Sequence, residues 1–260
     1  MATYIHGATC AREADRLETQ AAFAATFSLR DLDLLAGQRV LDLACGVGAM
    51  IGQLATRFPT LQLVGVDHQL PALHIAQAQH PIAAYLQADA VELPFANASF
   101  DFVHGSWLLE HLQSPQTVLR EVHRVLRRGG HCQFSEVDNT SFWMTPEDPD
   151  VCAVQEALNR AQIAGGGDPY IGRRLDHLLR DAGFVQVDVH AQALRGDAAN
   201  PFVFQNLIAI SAAVFESVEQ ALGPEMTEPI RRAAARLRML PSIEGSAIYY
   251  APVIGRGTRP

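Results

Sequence analysis

The chain predicts an α/β fold around a mostly parallel sheet, on three observations. Short apolar runs alternate with helical stretches from residue 38 to 138, the pattern of strands covered on both faces by crossover helices. The first run ends in a glycine-bearing turn, VLDLACGVGAM (40–50). An acid stands at the end of each of the first three runs: Asp42, Asp67 and Asp89. At 260 residues, 48% hydrophobic and 18% charged, the chain can bury such a sheet and is too apolar for extended disorder.

Taken in order, residues 11–27 (AREADRLETQAAFAATF) read as an amphipathic helix with Leu17, Ala21 and Ala24 on one side. Strand-like runs follow at 38–44, 61–67, 83–89, 100–105 and 131–138, with helices between them at 49–57, 70–79 and 115–127. The last of these helices ends RVLRRGG, which puts arginines at the negative helix end and glycines beyond it, a stop signal. After residue 138 the regularity lapses. There follow SFWMTPEDPD, a helix near 150–163, the turn-rich GGGDPY, a helix at 171–182 and the strand-like GFVQVDVH (183–190). Helical stretches near 201–221 and 225–239 precede a closing strand, SAIYYAPVIG (246–255). The organisation expected is an N-terminal helical lid (1–37) and one sheet domain (38–260) with cap insertions near 139–170 and 197–240.

Composition narrows the function. Net charge is −8, from 28 acids against 20 bases, and the basic clusters are short, which argues against a nucleic-acid partner. Four cysteines without CxxC spacing, and no apolar leader segment, read as buried reduced thiols in a cytoplasmic protein. The longest apolar stretch, near 207–215, falls far short of the ~20 residues of a membrane span.

In open parallel sheets, ligands lie outside the carboxyl ends of the strands. Small residues at Ala44, Gly46 and Gly48 let the backbone come against a ligand there. Asp67, about twenty residues on, stands where a ribose-binding carboxylate belongs. Each charge-assisted bond it accepts contributes roughly 1.5–3 kcal/mol. Asp89 is placed to take the amino group of an adenine, with the Ala90 N–H beside a ring nitrogen. A dinucleotide fingerprint would need a third glycine where Ile51 stands, and Asp42 would set negative charge against pyrophosphate. A carboxylate suits instead the amino group of S-adenosylmethionine (SAM), beside its sulfonium. Sign of charge therefore favours SAM over NAD.

The stretches DLACGVGA, GVD, ADAVELPFANASFDFVHGSWLLEHL and LREVHRVLRRGGH resemble class I SAM-dependent methyltransferases. Within that class they are similar to the group that includes ubiquinone and menaquinone biosynthesis methyltransferases. The resemblance covers residues 38–138; GGGDPYIGRRLDHLLRDAGF and the closing strand fit more loosely, and YIHG…EADRL resembles a lid of small-molecule members. It implies a Rossmann-like, seven-stranded sheet with the last strand antiparallel. It implies further that Asp42 and the 44–48 turn line the methionine end of SAM, and that Asp67 holds the ribose. His68 then lies against the adenine, with Asp89 and Ala90 at its edge, and Ser106 or the Gly105 backbone touches the methionine portion. His68 departs from the usual aliphatic or small residue, a change that a stacked imidazole accommodates.

Methyl transfer from a sulfonium is an in-line displacement, so the protein mainly aligns the nucleophile and excludes water. A base is needed only where the nucleophile carries a proton. His111, in WLLEHL at the mouth of the site, is the first candidate; the position equally suits a helix-start histidine bonded to backbone. His6 and Tyr4, in the N-terminal arm, are the others, with arm packing as their alternative. His104, inside a strand, reads as a core histidine. Trp107 and Trp143, the latter with Phe142, are candidate walls of a substrate pocket; Trp143 and Phe142 equally suit ordinary cap packing. Tyr170 and Arg173 either reach a substrate carboxylate or phosphate or form a solvated helix start. The Asp138-Asn139 pair invites a magnesium reading, but Gly105, Ser106 and Trp107 supply no carboxylate after the fourth strand, so no metal is expected. The function expected is SAM-dependent methyl transfer to an N, O or C atom of a small metabolite in an enclosed pocket. The alternatives are a SAM-fold protein that uses the cofactor for a non-methylating reaction, and a protein or RNA methyltransferase. Nothing in the sequence decides between a monomer and a homodimer.

Overall fold

In the computed structural model, which describes residues 11–260, the first apolar run becomes the central strand β1 (Arg39–Leu43). Val40, Leu41 and Leu43 are all buried, because both faces of this strand are covered. On one side lie β2 (Gln62–Asp67) and then β3 (Ala84–Gln87); on the other lie β4 (Phe100–Ser106) and β5 (Leu126–Glu136). These five strands are mutually parallel. Beyond β5, the closing strand β10 (Val253–Thr258) runs antiparallel between β5 and β7 (Val185–Ala191), giving seven strands in the order β3-β2-β1-β4-β5-β10-β7. This is the Rossmann-like sheet that the resemblance implies.

Helices α1 (Ala11–Ser28) and α2 (Ala49–Arg57) pack together, and α3 (Leu70–Gln79) packs against β2 and β3. Helix α4 (Pro115–Val125) packs on β5 and on α6 (Leu175–Asp181). Between α4 and α6 in the chain lies α5 (Pro149–Ala164), and after β7 come α7 (Pro201–Ser217), the short α8 (Glu219–Leu222) and α9 (Thr227–Met239). Helix α9 packs on both α5 and α7, and α7 also meets α1. Two large apolar clusters result, one including residues of α1, α2, α5, α7 and α9, the other including residues of α4 and α6.

Two departures from the sequence reading have local causes. The helix expected over 115–127 ends at Val125, because Leu126 is fully buried as the first residue of β5. Pairing jumps from Phe100↔Leu126 to Phe102↔His131, so the RRGG segment bulges out of the ladder at Gly129 (φ 75°). The closing strand is in fact two. Residues of β9 (Ala247–Tyr250) sit in a second, antiparallel sheet between β6 (Trp143–Thr145) and β8 (Leu194–Asp197). Ala251 and Pro252 then carry the chain across to β10. This small sheet clasps α7: a Cβ on Gly196 of β8 would lie 2.4 Å from the Phe204 Cα. Among the described residues no helix is long and apolar enough to cross a membrane.

Candidate active site

The carboxyl ends of β1, β2 and β4 open into one cavity of about 330 Å³. It lies where the strand order reverses, β1 having β2 on one side and β4 on the other. From β1, Asp42 and the turn residues Ala44 and Gly46 line it; from β2, Asp67 and His68. Asp89 and Ala90 follow β3, and Ser106, Trp107 and His111 follow β4. The roof comes from α1, α5, α7 and Tyr250.

Asp42 is only 3% exposed. Its carboxylate accepts a hydrogen bond from His104 Nδ1 at 2.8 Å, and the other ring nitrogen of this fully buried histidine lies 3.2 Å from Ser106 Oγ. His104 is thus a satisfied core histidine that fixes the Asp42 carboxylate. The turn after β1 runs through left-handed backbone at Ala44 (φ 56°) and Gly46 (φ 52°). For Ala44 that conformation costs roughly 1–2 kcal/mol. It brings the Gly46 N–H onto Asp67 Oδ2 at 2.9 Å, while Gln69 N–H donates to Oδ1 at 2.8 Å. Each Asp67 oxygen thus accepts one backbone N–H and has capacity for a further donor, with His68 Nδ1 lying 3.4 Å from Oδ1. Burial pushes the Cys45 thiol up, Asp42 and then Asp67 adding to it, so this cysteine stays a neutral thiol beside the turn.

On the β4 side, His111 closes a helical turn (Leu109–His111), its N–H donating to the Leu108 carbonyl at 3.1 Å. The backbone bond and the cavity-lining imidazole coexist, with Nε2 3.7 Å from Glu110 Oε1. Glu136, fully buried, accepts N–H bonds from Leu108, Leu109 and Glu110 and so pins this turn to β5. Burial first, and Glu110 second, push its carboxyl up to about 8, against the pull of those three N–H groups. Gln162 of α5 donates to Glu110 Oε2 at 2.6 Å. The Tyr250 phenol is driven up by burial and then by Glu110, so it remains protonated.

Four of the candidate residues lie outside the cavity. Gly48 (φ 79°) does not line the cavity; its missing Cβ leaves room for the Tyr85 hydroxyl, which would lie 2.9 Å away. Trp143 points out of the small sheet, 40% exposed, stacked on Tyr249 with Arg195 against its ring. Its neighbour Phe142 lines the cavity instead, edge-on to Phe215. Arg173 is an exposed side chain outside the cavity that donates to Asp138 at 2.9 Å and covers the Tyr170 ring, which also lies outside. Asp138 itself caps the 139–141 turn through Thr140. Tyr4 and His6 lie outside the described residues. Among the described residues no group of three or more His, Cys, Asp or Glu is placed to hold a metal ion. Sequence reasoning missed Arg16, Glu110, Gln162 and Tyr250, which line the cavity from segments far apart in the chain.

Residues 41–134 match a family model described as a methyltransferase domain. The chain is 39% identical over 169 residues to the uncharacterized methyltransferase sll0829 of Synechocystis sp., covering 64% of this chain and 75% of that one. It belongs to the class I SAM-dependent methyltransferases. The methyltransferase chain is also 31% identical over 156 residues to the O-methyltransferase resE of Aspergillus sclerotiorum, spanning 57% of its own length and about half (55%) of that relative. A solved phosphoethanolamine N-methyltransferase of Haemonchus contortus, in complex with phosphomonomethylethanolamine and S-adenosylhomocysteine, superposes with a TM-score of 0.60. At 18% identity, over 93% of this chain and 52% of that one, this likeness is one of fold. SAM is the cofactor of the family to which the chain belongs.

Proposed function

We propose that this methyltransferase moves the methyl group of SAM to an N, O or C atom of a small molecule held in the roofed half of the cavity. What carries the reading is that a single cavity runs from the acid-bearing strand ends to a largely apolar chamber under α1, α5 and α7. A macromolecular acceptor would need an open groove, and a chain at −8 offers little to RNA. The likeness to the fungal O-methyltransferase points the same way. Helix α1, within the expected N-terminal lid, covers one side of the chamber.

The donor set fits SAM. Asp67, with capacity for a further donor on each oxygen, suits the two ribose hydroxyls; His68 lies against the adenine, with Asp89 and Ala90 at its edge. Asp42, the turn at Ala44 and Gly46, and Ser106 face the methionine end, where carboxylate suits the amino group and would repel a pyrophosphate. Bound there, SAM supplies a methyl group on a sulfonium, already activated for displacement. The chain's part is to hold the acceptor in line, keep water out and, for a protonated nucleophile, take its proton. His111 fills the last role, with Glu110 beside it to stabilise the imidazolium that forms. Trp107 walls the acceptor. The free thiols Cys45, Cys132 and Cys152 accord with a reducing, cytoplasmic setting.

The test is to incubate the purified protein with SAM and a fractionated metabolite extract and to measure S-adenosylhomocysteine. Release that depends on a small-molecule fraction supports the reading. Conversion of a metabolite without S-adenosylhomocysteine would instead establish a non-methylating reaction, and release only with protein or RNA would place the acceptor among macromolecules.

A further inference from the structure

We propose that Arg16 of α1 clamps the carboxylate of the cofactor's methionine portion, with Glu13 and Gln20 positioning its guanidinium. The proposal rests on the SAM reading above and extends it to a group for which that reading provides no partner.

All twenty basic residues of the chain are arginines, and residues 1–10 contain none. Among the described residues, Arg16 is the one arginine that lines the cavity. The other charged groups there are the carboxylates of Asp42, Asp67, Asp89 and Glu110, with the imidazoles of His68 and His111. SAM carries three charged groups: a sulfonium, an ammonium and a carboxylate. The acids suit the two cations and repel the anion, so a carboxylate brought among them requires a fixed positive partner.

Arg16 is built for that task. It is 8% exposed and its partner Glu13 5%, in a wall formed with Ala14, Ala21 and Ala24. A buried ion pair adds little to stability over apolar residues of similar volume, because desolvation offsets the attraction. A helix that only packed would be served as well by leucines. Glu13 takes Nε at 2.8 Å and Nη2 at 2.6 Å, and Gln20 takes Nη1, so the plane of the guanidinium is set before any ligand arrives. The helix also lies in the right place. Leu17 Cδ1, from the next residue, lies 3.8 Å from where a Cβ on Gly46 would stand, so α1 crosses the glycine turn itself.

The experiment compares two ligands by titration calorimetry: S-adenosylhomocysteine and its decarboxylated analogue, which keeps the adenosine, the thioether and the amine. Arg16→Met should weaken S-adenosylhomocysteine by about ten- to a hundredfold, the scale of a lost charge-assisted bond. It should leave the analogue within about twofold of wild type, since that ligand has no carboxylate to lose. The substitution takes the guanidinium away from the buried Glu13 carboxylate, so the double variant Glu13→Gln with Arg16→Met, which removes both charges, is measured beside it and should behave alike. Equal weakening of both ligands would give Arg16 a structural role and overturn the proposal, as would unchanged affinity for S-adenosylhomocysteine. Wild-type protein that bound neither ligand would bring down the SAM reading itself, a different failure.

Discussion

Asp67→Ala should weaken S-adenosylhomocysteine by about 2–4 kcal/mol, some thirty- to a thousandfold in Kd. The carboxylate already accepts one backbone N–H on each oxygen, from Gly46 at 2.9 Å and Gln69 at 2.8 Å. Its two remaining acceptor positions lie on the two oxygens, as a vicinal diol requires. Two charge-assisted bonds at roughly 1.5–3 kcal/mol each set the upper bound, and water entering the emptied space lowers the net figure. The substitution also frees the Gly46 N–H and so loosens a turn held in left-handed backbone. Affinity alone would not separate the two effects. A 2′-deoxyribose analogue of S-adenosylhomocysteine does. Wild type should discriminate against it, and Asp67→Ala should lose most of that discrimination. Asp67→Asn keeps one acceptor oxygen and should fall between. Calorimetry on all three proteins, with unfolding curves of the free forms, gives the answer. If Asp67→Ala discriminates between the two ligands as strongly as wild type, the carboxylate acts through the turn and the ribose assignment is wrong.

His111→Ala should lower turnover on a protonated acceptor by about a hundredfold or more while S-adenosylhomocysteine affinity holds, and wild-type turnover would reject the base. Glu136, pushed up to about 8, keeps its proton in the folded protein where the unfolded chain, at roughly 4.3, has lost it. Stability should therefore fall as pH rises from about 4.3 to about 8 and level off above, and Glu136→Gln should flatten that part of a Tm-against-pH profile. Gly196→Ala should cost roughly 1–3 kcal/mol or more in urea unfolding, since its Cβ would meet Phe204 backbone rather than a side chain that can turn aside.

The strand-end lining of the cavity was legible because each of its determinants is local, whereas Arg16 on α1 was not. A strand buried on both faces reads as a continuous apolar run, and the acid at its carboxyl end is one residue fixed by that run. Helices at 49–57 and 70–79 likewise begin where Gly48 and Pro71 permit. The roof follows another logic. Strands β6 and β8 are three and four residues long, too short for a period to show. Parity then misplaced the aromatics. Adjacent residues of an extended chain face opposite ways, so Phe142 turns into the cavity and Trp143 away from it. The same alternation sends Tyr250 inward and leaves Tyr249 outside, against Trp143. Of the two readings of Arg173, the exposed helix start matches its position, but its partner Asp138 stands far upstream, and only the fold brings the two together.

This difference in legibility separates two kinds of specificity. In the function proposed above, the residues facing the cofactor come from strand ends of one sheet, Arg16 of α1 apart, and changing one of them alters a contact that any acceptor would share. Residues lining the roofed half come from elements that meet only through packing: Phe142 before β6, Gln162 on α5, Phe215 on α7 and Tyr250 on β9. The Glu110 turn joins the two sets. Glu136, at the end of β5, anchors its backbone, and Gln162, from the roof, holds its carboxylate. With Glu136 protonated, that carboxylate sits beside a neutral neighbour and can support a charged imidazole at His111. A change in α5 that displaced Gln162 would then reach the proton-transfer step without touching any group that grips SAM. On the roles proposed above, the roof in this way ties acceptor range to proton transfer at His111.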